Sequence, residues 1–142
     1  MTLVDANVLI YAHNRHAQQH QRTKQWLQTA LDSAEPLGLS WVTLLAFLRI
    51  MTDPRMFVDP LALEDACSLA ATWLAHPGVS VLLPTERHWP ILSKLIVDSQ
   101  ARGPLIMDAH LAALALEHGA ALCTTDRDFT RFSGLHLVNP LA

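Results

Sequence analysis

The stretch Thr2-Leu3-Val4-Asp5-Ala6-Asn7-Val8-Leu9-Ile10-Tyr11-Ala12 decides the fold. A short apolar run ends on a carboxylate, and an Asn followed by apolar residues at helical spacing begins with no loop between. Residues 2–5 therefore read as a strand, and 6–12 as a helical turn that starts where the strand stops. A strand that passes straight into a helix is the opening of an α/β layered unit. Asp5 then lies at the carboxyl end of a strand, the edge where ligands of such sheets gather.

Working outward, the same alternation continues. His16 to Ala34 is polar with Trp26, Leu27 and Leu31 on one helical face, and Glu35-Pro36 stops it. Leu37–Leu39 reads as a second strand, with Ser40 as N-cap of a helix from Trp41 to Met51. A helix is predicted from Pro60 through Trp73, then a strand over Val79–Leu83, then a helix capped by Thr85 that ends before Arg102-Gly103-Pro104. Leu105–Glu117 is a nearly all-apolar helix closed by His118-Gly119, and Ala120–Thr124 a strand. Asp126–Phe132 reads as a short helix or turn before a last strand, His136–Val138. The sum is an α/β fold with a mainly parallel central sheet flanked by helices, and with no repeat or linker the 142 residues read as one domain.

Composition narrows the function. With 51% hydrophobic and 16% charged residues the chain is globular rather than disordered. Arg49, Thr43 and Asp108 break the apolar stretches before a membrane span is reached, and no basic-then-apolar leader opens the chain, so a cytoplasmic protein with no membrane association is expected. Cys67 and Cys123 are too few and too distant for a disulfide scaffold. The net charge of −3 argues against broad affinity for nucleic acid, which comes mainly from Lys and Arg displacing counterions.

Three isolated carboxylates fall where elements begin or end: Asp5, Asp108 near the start of the apolar helix, and Asp126 just past the strand 120–124. Carboxylates among so much Leu, Val and Ile are costly unless a cation meets them. A cluster of them stays ionised at neutral pH only with compensating positive charge, which Mg²⁺ or Mn²⁺ supplies through oxygen ligands. Such a metal activates water and stabilises charge on a phosphodiester. Taken singly, each acid has a plainer reading. Asp5 caps the turn through Asn7, Asp108 sits in the favourable field of a helix N-terminus, and Asp126 with Asp128 forms an ordinary turn.

Four ordered segments carry a more specific signal. Val4 to Tyr11, Trp41 to Arg49, Asp108 to Ala115, and Thr124-Thr125-Asp126-Arg127-Asp128-Phe129 together resemble a PIN domain of the VapC toxin type over Leu3 to Val138. The resemblance implies a three-layer PIN-like fold and a metal-dependent endoribonuclease, the toxin of a type II toxin-antitoxin pair acting on structured RNA such as tRNA or rRNA. It implies Mg²⁺, or Mn²⁺, held by Asp5, Asp108 and Asp126, with Asp128 as a further ligand and Thr124 orienting Asp126. It also implies a homodimer silenced by a VapB-type antitoxin. One departure stands out: family members commonly carry a Glu in the helix that here spans Trp41–Arg49, and this one has no carboxylate, with Leu44 and then Ala46 at the matching positions. The alternative reading is therefore a catalytically weak or inactive binding module that kept the fold.

Other residues invite interpretation. His16 and His20 have the one-turn spacing of a metal chelate, set against a solvated helix start. His110, two residues from Asp108, is expected on another helix face. Arg49 either binds phosphate or satisfies the last carbonyls of its helix. Trp26, Trp41, Trp73 and Trp89 are expected in the core or at an interface.

Overall fold

The computed structural model describes residues 1–142. Its elements are β1 (Thr2–Val4), α1 (Ala6–His13), α2 (His20–Asp32), β2 (Leu37–Leu39), α3 (Trp41–Met51), α4 (Leu63–Ala75), β3 (Val79–Val81), α5 (His88–Ser99), α6 (Leu105–Glu117), β4 (Ala121–Cys123), a 3₁₀ turn (Arg127–Arg131) and β5 (Leu137–Val138). All five strands pair parallel, in the order β3-β2-β1-β4-β5. The chain lays β2 and β3 on one side of β1, then crosses to place β4 and β5 on the other. The strand order thus reverses between β1 and β4, and the carboxyl ends of those two strands carry Asp5 and Thr124.

Alternation along the strands divides the core into two layers. Leu3 and Leu122 point to one face and pack with Leu95, Leu111 and Leu114 from α5 and α6. Val4 and Cys123 point to the other and meet Val8, Leu27, Leu44, Phe47 and Trp73 from α1 to α4. The sheet is therefore covered on both sides, which is why its strands read as continuous apolar runs. Phe47 stacks edge-on against Trp73 with ring centroids 4.9 Å apart, closing the second layer. Gly38 in β2 is forced by packing: a Cβ there would lie 2.8 Å from Leu82 Cδ1 and 2.9 Å from Leu82 Cγ.

Local signals account for most boundaries. Ser40 Oγ accepts from the Thr43 N–H at 3.1 Å and so caps α3. Gly119, at φ +64°, takes up the left-handed turn that follows α6. Three expected starts are corrected. Residues 14–19 form turns, so α2 begins at His20, not His16; Asn14 Oδ1 accepts from the His16 N–H and stabilises the turn instead. The helix expected from Pro60 begins at Leu63. Thr85 does not cap α5: its Oγ1 accepts from Arg87 N in a local turn, while Arg87 itself holds the cap position and its side chain makes no capping bond. No helix is long and apolar enough to cross a membrane.

Candidate active site

Asp5 is fixed from both sides. Its Oδ1 accepts from the Ala6 N–H at 2.7 Å, capping α1, so the plain reading of this residue holds as one of its roles. Its Oδ2 accepts from the Thr124 hydroxyl at 2.8 Å and from Asn7 Nδ2 at 3.3 Å. Thr124, buried at the end of β4, uses its whole hydrogen-bonding capacity here. While donating to Asp5, Oγ1 accepts from the Asp126 backbone N–H at 3.0 Å and from Asn7 Nδ2 at 3.2 Å. One hydroxyl thereby ties the carboxyl ends of β1 and β4 into a single unit.

Asp126 turns the chain out of the sheet. Its Oδ1 accepts from the Asp128 N–H at 2.9 Å and caps the 3₁₀ turn, which carries Asp128 round to the same side. Asp108 arrives from the first turn of α6, three residues inside the helix start rather than as its cap. The result is one cluster in which Asp108, Asp126 and Asp128 each present a carboxylate oxygen within 4.8 Å of the others. Asp5 is not one of this trio, but its charge acts on Asp108 while that of Asp126 acts on Asp5.

The electrostatic consequence is visible in the acids themselves. Burial first, then the charges of Asp126, Asp5 and Asp128, push Asp108 up to about 6, with Arg131 pulling the other way. Asp5 also lies above the usual carboxylate range. Burial raises it most, and the bonds from Thr124 and Ala6 recover only part of that cost. A group of carboxylates with oxygen as its only donor atom fits a hard divalent cation, and Asp5 Oδ1, which accepts from a single donor, keeps a lone pair free. A thiol- or imidazole-selecting metal finds no ligand of its kind in the cluster.

Helix α3 contributes no acid. Leu44 is turned into the core, 1% exposed. Ala46 instead lines a groove of about 500 Å³ with Val42, Leu45, Arg49 and Met107, the residue before Asp108. Of the two matching positions, Ala46 is thus the one that faces a surface groove. Arg49 is exposed and opens onto this groove with no ion pair.

Two further expectations are settled by position. His16 lies outside α2, and His20 Nδ1 bonds the Tyr11 carbonyl at 2.9 Å, so the helical chelate pair is not built. His110 does face away from the cluster: its Nδ1 lies 3.0 Å from Nε2 of His88, whose Nδ1 bonds the buried Glu117 carboxylate. Glu117 Oε1 also accepts from the Thr85 N–H at 2.6 Å, so this chain of groups staples the loop after β3 to the end of α6. Sequence reading had no signal for it, because Glu117 looked like the polar end of a helix. It also missed Asn7, whose Oδ1 accepts from Thr125 N at 3.3 Å while its amide reaches Asp5 and Thr124; position two after a strand-end acid was the only clue. Among the tryptophans, Trp73 is core, while Trp41 and Trp89 are exposed at 52% and 69%.

With this geometry, the family comparison decides between folds that share a parallel sheet: the PIN domain family matches residues 2–135. The chain belongs to the PIN domain family. Among curated relatives of this PIN domain, Ribonuclease VapC37 of Mycobacterium tuberculosis is 43% identical over 142 residues, covering 100% of this chain and 99% of the relative. VapC ribonuclease Mb2897 of Mycobacterium bovis is 40% identical over 141 residues, 99% of this chain and 96% of its own. Among solved structures, VapBC2 from Rickettsia felis bound to a promoter DNA fragment superposes with a TM-score of 0.69 at 17% identity, covering 97% of each chain. Mycobacterium tuberculosis VapC20, described as a Sarcin-Ricin loop cleaving toxin, gives a TM-score of 0.69 at 18% identity over 96% of this chain and 99% of its own. At those identities the structural matches establish the three-layer PIN-like architecture alone.

Proposed function

We propose that this PIN domain, residues 1–142 acting as one domain, is a metal-dependent endoribonuclease and the toxin of a type II toxin-antitoxin pair. The observation that carries this is the meeting of Asp108, Asp126 and Asp128 within 4.8 Å, backed by Asp5, in a chain whose full-length relatives are named ribonucleases. Asp5, Asp108, Asp126 and Asp128 are the proposed ligands, and Mg²⁺ the proposed ion, with Mn²⁺ as substitute, because the donor set is all oxygen. When bound, that ion supplies a polarised water and stabilises the charge that builds on the phosphodiester.

The chain's own residues do the positioning. Thr124 Oγ1 holds the Asp5 carboxylate and the Asp126 backbone in fixed relation, so the two strand ends cannot drift apart as charge changes between them. Asn7 braces both, and Asp108 gives up the proton that crowding encourages it to keep. Hydrolysis adds the oxygen of water to phosphorus and breaks one bridging P–O bond. The RNA is proposed to be structured, tRNA or rRNA, because a chain of net charge −3 has little means of holding RNA except by local fit. A cytoplasmic homodimer held inactive by a VapB-type antitoxin completes the reading, supported by the VapBC assemblies among its structural neighbours.

The acid-free α3 favours a second reading, a binding module with weak or no turnover. Purified protein incubated with total RNA in Mg²⁺ or Mn²⁺ separates the two. The enzyme reading expects discrete cleavage products, abolished by EDTA and by Asp108→Asn at unchanged folding. Intact RNA in both metals, with antitoxin still bound, establishes the second reading instead.

A further inference from the structure

Arg131 ends the 3₁₀ turn that carries Asp126 and Asp128, and its Nε donates to the Asp128 carbonyl at 3.3 Å. That bond anchors the side chain but leaves both terminal nitrogens of the guanidinium without a partner. No carboxylate lies within ion-pair distance of it; Lys94, Arg55 and Arg87, by contrast, spend their charge on Asp98, Asp53 and the Glu117 carbonyl. Among the charges that act on Asp108, Arg131 is the only cation. Arg131 also lines a cleft of about 310 Å³ between α5 and the turn, where the paired Lys94 and Asp98 cancel one another and leave it the one cation without an ion pair.

A loaded metal neutralises the phosphate undergoing cleavage and nothing beyond it. The next phosphate along the strand would still meet a rim of carboxylates, in a chain of net charge −3. A guanidinium with two free, parallel N–H donors is the group suited to that phosphate, since it binds such oxygens bidentately. We propose that Arg131 is a substrate-binding residue: it takes the phosphate adjacent to the one held at the carboxylate cluster. This rests on the ribonuclease reading for its ligand, but not for its test.

Binding of a short single-stranded RNA, followed by fluorescence anisotropy with Mn²⁺ present, measures the contact directly. An Asp108→Asn background keeps the RNA intact, and the salt concentration is varied. Arg131→Ala is expected to weaken binding about 5- to 10-fold and to reduce the slope of log affinity against log salt by about 0.7, the value of one phosphate contact on a single strand. Arg131→Lys keeps the slope while losing part of the affinity, and in the otherwise native enzyme Arg131→Ala raises KM with kcat little changed. Arg131→Gln, which retains an N–H for the Asp128 carbonyl, guards against misfolding and must show the same loss of slope. An unaltered slope in both neutral variants overturns the proposal, as does a change confined to Mn²⁺ affinity or melting temperature. Failure of the native protein to cleave any RNA sinks the ribonuclease reading alone, because the salt slope is measured without turnover.

Discussion

Replacing Thr124 by Val removes one oxygen and keeps the shape, and the consequences are calculable from the bonds that oxygen makes. The hydroxyl is buried, donates to Asp5 Oδ2 and accepts from Asp126 N and Asn7 Nδ2. A bond to a charged carboxylate contributes about 1.5–3 kcal/mol, and stranding the Asp126 N–H adds a desolvation cost of about 1 kcal/mol or more. Partial rescue by water at the half-exposed rim offsets some of this, so a loss of about 2–3 kcal/mol is expected. For a chain of this length that corresponds to a fall of about 7–10 °C in Tm. Asp5, already above its ordinary range, rises further once the Thr124 bond is gone, so protons compete better with metal at its carboxylate. Losing such a positioning partner typically costs about 10- to 100-fold in metal affinity. Calorimetric titration with Mn²⁺ and thermal melts in EDTA read the two effects separately, and Thr124→Ser should restore most of both. A valine variant that melts within about 1 °C of the native protein and binds Mn²⁺ equally well would refute the claim that this hydroxyl joins the strand ends.

Asp108→Asn removes one of three crowded charges, and in metal-free protein near pH 7.5 it should raise Tm by roughly 3 °C, allowing for solvent screening, while abolishing cleavage. Because the folded-state pKa of Asp108, about 6, lies above that of the unfolded chain, its contribution to stability is complete below about pH 4 and is lost as pH rises through 6. Melts between pH 4 and 7 should therefore fall more steeply for native apo-protein than for Asp108→Asn, and parallel curves would contradict the assignment. Mn²⁺ at about a hundred times its Kd should stabilise the native fold by about 2.7 kcal/mol, some 9 °C, reversibly with EDTA, and an unmoved Tm would speak against a metal site. Gly38→Ala drives a methyl into Leu82 and should cost about 1–3 kcal/mol in urea unfolding, whereas a neutral result would show that β2 and the loop after β3 shift freely.

The architecture was written into the chain at short range. Short apolar runs that pass directly into helices, the Ser40 cap, and glycine or proline after most helices make the layer pattern readable one window at a time, since each signal is local. Errors fell where a side chain bonded its own neighbours instead of continuing a helix, as with Asn14 and Thr85. Three acids, Asp5, Asp108 and Asp126, could be named from residue type and order, because an isolated carboxylate at the end of a strand or the start of a helix stands out against apolar neighbours, and Asp128 was named through the family resemblance. Only the folded chain decided their grouping: Asp128 lies inside the trio, while Asp5 lies outside it and is tied to Asp126 through Thr124. Asn7, the Glu117–His88–His110 staple and the unpaired guanidinium of Arg131 were equally invisible beforehand. Each depends on partners 22 to 118 residues away or on a charge balance across several elements, and no sequence window holds both sides of such a contact.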